Sequence, residues 1–120
     1  MAEYERLQRI VDAQEDSVFL WGARQVGKST LVKTLYPKAK VYDLLMSDEY
    51  GRLMRRPQLL REELEHLGEE SLVIIDEIQK IPQLLDEVHW LIVNRGIRFI
   101  LCGSSARKLK RMGTNLLGGR

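Results

Sequence analysis

Residues 17–36 read SVFLWGARQVGKSTLVKTLY. An apolar run breaks at a glycine, a loop closes on Gly-Lys-Ser, and a helical pattern follows. Ser17 to Trp21 is short and almost wholly apolar, as a strand covered on both faces must be. From Lys28 to Tyr36, Leu31, Val32 and Leu35 share one helical face, and Pro37 stops the helix. Between the two elements, Gly22-Ala23-Arg24-Gln25-Val26-Gly27-Lys28-Ser29 satisfies G-x-x-x-x-G-K-[ST] at every fixed position. A strand before that loop and a helix after it are the context a phosphate cradle requires.

Each fixed residue has a physical reason. Gly22 and Gly27 permit torsions and close approaches that a Cβ would obstruct, so successive N–H groups can turn toward an anion. The helix that begins beside Gly27 adds unpaired N–H donors and a positive dipole end. Lys28 brings a point charge to the β- and γ-phosphates, and the small hydroxyl of Ser29 suits Mg2+. Gly22, Ala23, Arg24, Gln25, Val26, Gly27, Lys28, Ser29 and Thr30 thus form the expected nucleotide-binding segment. The side chains of Arg24 and Gln25 are expected to project outward from it.

Working outward, Tyr4 to Val11 has the spacing of a short lead-in helix, and Lys40 to Leu44 (KVYDL) reads as a second strand. Ser47 to Arg56 is helical in pattern. Pro57 opens a helix with a Leu59, Leu60, Leu64, Leu67 stripe that ends at Gly68. Ser71 to Ile75 (SLVII) is a third strand. Pro82 starts a helix with Leu84, Leu85, Val88, Leu91 and Ile92 on one face, stopped by Gly96, and Ile97 to Cys102 (IRFILC) is a fourth strand. Strands alternating with amphipathic helices predict an α/β fold, a parallel sheet flanked by helices on both faces.

Two strand ends carry further chemistry. Leu72-Val73-Ile74-Ile75 runs into Asp76 and Glu77, which puts two carboxylates where ligands of open α/β sheets bind. Asp76 is expected to hold Mg2+ and Glu77 to orient and deprotonate an attacking water. Phe99 to Cys102 runs into Gly103, Ser104 and Ser105. One serine can face a γ-phosphate or the water while the other caps a helix from Ala106 to Met112.

Composition excludes other classes. In 120 residues the formal charge is only +2, so bulk electrostatics does not mark a nucleic-acid binder. The arginines at 52, 55, 56 and 61 and the basic stretch Arg107, Lys108, Lys110 and Arg111 read first as solvated faces; the second stretch keeps nucleic-acid phosphates as an alternative. The apolar runs are far shorter than the ~20 residues of a membrane helix, and the acidic start MAEYERLQRI does not match a signal peptide, so the expectation is a cytoplasmic chain without membrane contact. The lone cysteine, Cys102, excludes an internal disulfide and reads as a buried strand residue. His66 and His89 have no partner at metal-ligand spacing. Trp21 and Trp90 read as packing residues.

Taken together, GARQVGKST (22–30), LVIIDE (72–77) and ILCGSSA (100–106) resemble the sequences around the Walker A, Walker B and sensor-1 segments of AAA+ ATPases, which the resemblance sets at residues 22–29, 72–77 and 98–105. DEIQKIPQLLDEVHWLI, RFILCGSSARKLKR and LLGGR resemble more narrowly a prokaryotic AAA family of predicted ATPases. In that family the core precedes a winged-helix or nuclease-like region. The resemblance implies a P-loop NTPase-type sheet of order 5-1-4-3-2, ATP and Mg2+ as cofactors, Lys28, Glu77 and Ser104 in catalysis, and Arg120 reaching a neighbouring subunit's nucleotide. It also implies that residues 1–120 are a truncated AAA+ core, lacking strand 5 and the helical lid. Such a chain is expected to bind ATP weakly, to hydrolyse it slowly or not at all, and to risk self-association through Arg120 or the open edge of its first strand.

Three activities fit these residues: ATP hydrolysis coupled to conformational change in a further region or partner, a non-hydrolysing nucleotide switch, and phosphoryl transfer to a small molecule. The chain has no N-K-x-D guanine pattern, and the resemblance favours ATP.

Overall fold

A computed structural model describes residues 17–21 and 28–104, with the side chains of all of these except residues 21 and 28–31. The elements, in order, are β1 (Val18–Trp21), α1 (Lys28–Leu35), β2 (Lys40–Asp43), α2 (Ser47–Arg55), α3 (Gln58–Leu64), β3 (Leu72–Asp76), a 3-10 turn (Ile78–Lys80), α4 (Leu84–Arg95) and β4 (Arg98–Gly103). The strands form one sheet of order β1-β4-β3-β2, and every pairing is parallel. This is the expected α/β architecture, and its order matches the 1-4-3-2 part of the order implied by the resemblance.

Side chains of successive strand residues point to opposite faces, and the core divides accordingly. On one face Val73, Ile75, Phe99 and Leu101 meet Leu53, Leu60, Leu64, Leu84, Leu85, Val88 and Leu91 of α2, α3 and α4. On the other, Val18, Leu20, Ile74, Ile100 and Cys102 meet Val32 of α1. Each fully buried aliphatic side chain contributes roughly 1.5–3 kcal/mol relative to exposure, so the two layers hold the strand ends in a fixed row. Cys102 is buried on β4, as expected.

Element ends differ from the sequence reading where local caps decide them. Pro57 stands just before α3 rather than inside it, and α3 closes at Leu64, so Leu67 continues the apolar stripe from the following turn. Pro82 and Gln83 form a turn, and α4 begins at Leu84. Gly96 ends α4 in the left-handed conformation (φ 68°), its N–H bonded to the Ile92 carbonyl at 3.1 Å. β3 extends one residue further than expected, because Asp76 still pairs in register with Cys102 and Asp43. The 3-10 turn after it was not read from the sequence. Ile78 and Ile81 anchor it in the core. The lead-in helix at Tyr4 to Val11 and the helix after Ser105 lie outside the described residues.

Candidate functional site

Parallel pairing aligns the carboxyl ends of the strands. Trp21 stands opposite Gly103, Cys102 opposite Asp76, and Asp76 opposite Asp43. The chain leaves β1 directly into residues 22–27 and returns at Lys28 as α1, so the backbones of Lys28, Ser29 and Thr30 form the first turn of that helix. Gly22 to Gly27, Ser105, the basic stretch from Arg107 to Arg111, and Arg120 lie outside the described residues.

Asp76 and Glu77 are both buried, at 5% and 4% exposure, at the end of a strand whose inner residues are apolar. A carboxylate in that setting needs partners. The ammonium group of Lys33, one helical turn after Ser29 on α1, lies 3.6 Å from Asp76 Oδ2 and 3.8 Å from Asp43 Oδ2. Asp76 is therefore an oxygen donor already facing a cation. A carboxylate oxygen is the hard kind of donor that Mg2+ takes.

Glu77 takes a different course. Its backbone is left-handed (φ 62°, ψ 47°), the one positive-φ residue other than glycine among those described. That conformation costs a residue with a Cβ roughly 1–2 kcal/mol, and it turns the chain sharply out of β3. The Glu77 carboxylate then meets the end of β4: Ser104 Oγ donates to Glu77 Oε1 at 3.1 Å. Gln79 Nε2 donates to the same oxygen at 2.5 Å and lies 3.4 Å from Ser104 Oγ. Residues 27 positions apart in sequence are thereby joined in one polar cluster at the strand ends.

Three members of this region escaped the sequence reading. Asp43 ends β2 as Asp76 ends β3, a parallel that was visible in the sequence once both strands were assigned. Lys33 sits on the helix after the loop, but nothing in its spacing tells which strand end it reaches. Gln79 follows a backbone reversal that no residue type in DEIQ announces.

His66 and His89 are exposed, and no group of three or more metal-ligating side chains occurs among the described residues. Arg52 pairs with Glu49 and Glu63, Arg56 with Glu62, and Arg61 with Glu87. This basic cluster is therefore largely neutralised, in keeping with a solvated face. Trp90 is half-buried against the α4 side of the core, with Arg61 and Arg95 over its ring. No described helix is long and apolar enough to cross a membrane. A depression with apolar walls from Leu35, Ala39, Leu67 and Leu72 and with Lys38, Lys40 and Glu70 also lining it lies before β2 and β3, at the opposite end of the strands from Asp76.

Compared with known protein families, the chain matches the AAA domain model over residues 14–120.

Proposed function

Since the chain belongs to the AAA domain family, which implies nucleotide binding and ATPase activity in general, we propose that it binds ATP with Mg2+ through residues 22–30 and hydrolyses it. Hydrolysis would drive a conformational change in a further region or a partner. The observation that carries this reading is the meeting of Asp76, Glu77 and Ser104 at the carboxyl ends of β3 and β4, in the same row as the strand that leads into the loop.

Each residue has a distinct task in this reading. Backbone N–H groups of the loop and the first turn of α1 bind the phosphates, and Lys28 adds a positive charge beside them. Ser29 and Asp76 would hold Mg2+, which when bound neutralises charge developing across the β- and γ-phosphates. Glu77 accepts a proton from the attacking water. Ser104 orients the water or the γ-phosphate. The apolar strands behind Asp76 and Glu77 keep both carboxylates buried, which strengthens their electrostatic contacts. Self-association through Arg120 or the outer edge of β1, and a cytoplasmic setting, belong to the same reading.

Glu77→Gln tests it. The variant keeps the volume and the hydrogen-bonding oxygen but cannot accept a proton, so ATP binding should persist while release of free phosphate, however slow in the parent, disappears. Binding without any turnover in the parent would instead make the chain a non-hydrolysing switch. A phosphorylated acceptor in place of free phosphate would make it a phosphotransferase.

A further inference from the structure

Gln79 is 7% exposed on the 3-10 turn between β3 and α4, and no task in the scheme above employs it. Its amide orientation is fixed by chemistry. A carboxylate oxygen accepts and does not donate, so the group 2.5 Å from Glu77 Oε1 must be the NH2 end. The opposite end, Oε1, is consequently buried with no hydrogen-bond partner among the described residues. An unsatisfied buried carbonyl is unfavourable. Glu77 itself stands in a backbone conformation that disfavours any residue with a Cβ. Two unfavourable features thus converge on one charge-assisted bond, which is worth more than a neutral one.

The geometry explains what that bond is for. Ser104 also donates to Glu77 Oε1, yet the proposed reaction requires Ser104 to face the γ-phosphate or the water. When its hydroxyl turns, Glu77 loses that donor. Gln79 Nε2, within reach of both Glu77 and Ser104, remains on the carboxylate. We propose that Gln79 is a positioning residue for Glu77, holding the carboxylate in place while Ser104 changes partner. The inference rests on the reading of Glu77 as the base.

Gln79→Met keeps the length of the side chain and removes its donors; Gln79→Glu opposes one carboxylate with another. Both should lower kcat at least tenfold and leave KM and ATP affinity within twofold. A folded Gln79→Met variant with parental kcat, or one that changes KM alone, overturns the proposal. The contact is also read without turnover, from the side-chain amide signals of 15N-labelled chain. Substituting Glu77→Leu or Ser104→Ala should shift the Gln79 pair and leave that of the exposed Gln83 in place. An unmoved Gln79 pair overturns the proposal even if hydrolysis is real. If the parent lacks turnover, the hydrolytic reading falls, while a shifted pair still supports Gln79 as the residue that holds Glu77.

Discussion

Lys33 Nζ stands 3.6 Å from Asp76 Oδ2, so a side chain from α1 supplies positive charge beside the carboxylate proposed to bind Mg2+. Asp43, 3.8 Å away on the neighbouring strand, shares the same ammonium group. An ammonium and a divalent ion compete for the same oxygens. Lys33→Met should therefore raise affinity for Mn2+, measured by calorimetric titration without nucleotide, about three- to tenfold. In metal-free buffer the same variant should lose about 1 kcal/mol of stability, since the pair is partly solvated. Unchanged or weaker Mn2+ binding would show that Lys33 does not compete at this position.

Tyr42 links β2 to α3 by donating its hydroxyl to Glu63 Oε1 at 2.9 Å, while Glu63 also pairs with Arg52 of α2. Burial first, and then the bond to Glu63, push the phenol well above its ordinary range. Burial alone would raise the Glu63 carboxyl, but hydrogen bonds from Arg52 and Tyr42 outweigh it and hold the group below the usual carboxylate range. The raised phenol contributes stability that is present below its unfolded value of about 10 and is lost as pH climbs beyond it. The depressed carboxyl contributes stability that is present above about 4.3 and is lost as pH falls through its folded value. Urea midpoints from pH 3 to 11 should decline at both ends. Tyr42→Phe should flatten the alkaline decline and cost about 1 kcal/mol at pH 7.

Gly96 terminates α4 at φ 68°, and a Cβ built there would stand 2.9 Å from Glu69 Cγ. Gly96→Ala thus meets two penalties, left-handed backbone and a crowded side chain. It should lower stability by about 1–2 kcal/mol, read from denaturant unfolding. The Glu69 side chain can move, so Glu69→Ala in the same chain should recover only the crowding part. Full recovery would mean that the backbone conformation costs little.

What could be read in advance follows from how local each feature is. Apolar runs such as Leu72 to Ile75 and periodic stripes such as Leu84, Leu85, Val88 and Leu91 mark buried strands and one-sided helices, because burial pattern is written residue by residue. The position of Asp76 at a strand end follows from the same pattern. The left-handed turn at Glu77 does not, since glutamate carries no preference for it; the bonds to Gln79 and Ser104 help to offset its cost. Lys33 reaches Asp43 and Asp76 because α1 packs across the strands through Val32. That relation exists only once α1 is docked on the sheet.

Ser17 precedes β1 and is 5% exposed, and its hydroxyl oxygen accepts a hydrogen bond from the Phe99 N–H of β4 at 2.9 Å. The bond lies where β1 and β4 begin their pairing, 82 positions apart in sequence. A buried N–H deprived of its acceptor costs roughly 1–3 kcal/mol, whereas a hydroxyl kept on a slightly larger side chain preserves the bond. Ser17→Ala should therefore lower the unfolding free energy by that amount, and Ser17→Thr by clearly less. Hydrogen exchange at the Phe99 amide gives the local readout: it should accelerate in Ser17→Ala beyond what the global loss of stability explains. If the two variants prove equally stable, the hydroxyl does not anchor β1 against β4, and the pairing rests on the apolar contacts of Val18 and Leu20 with Ile100 and Cys102.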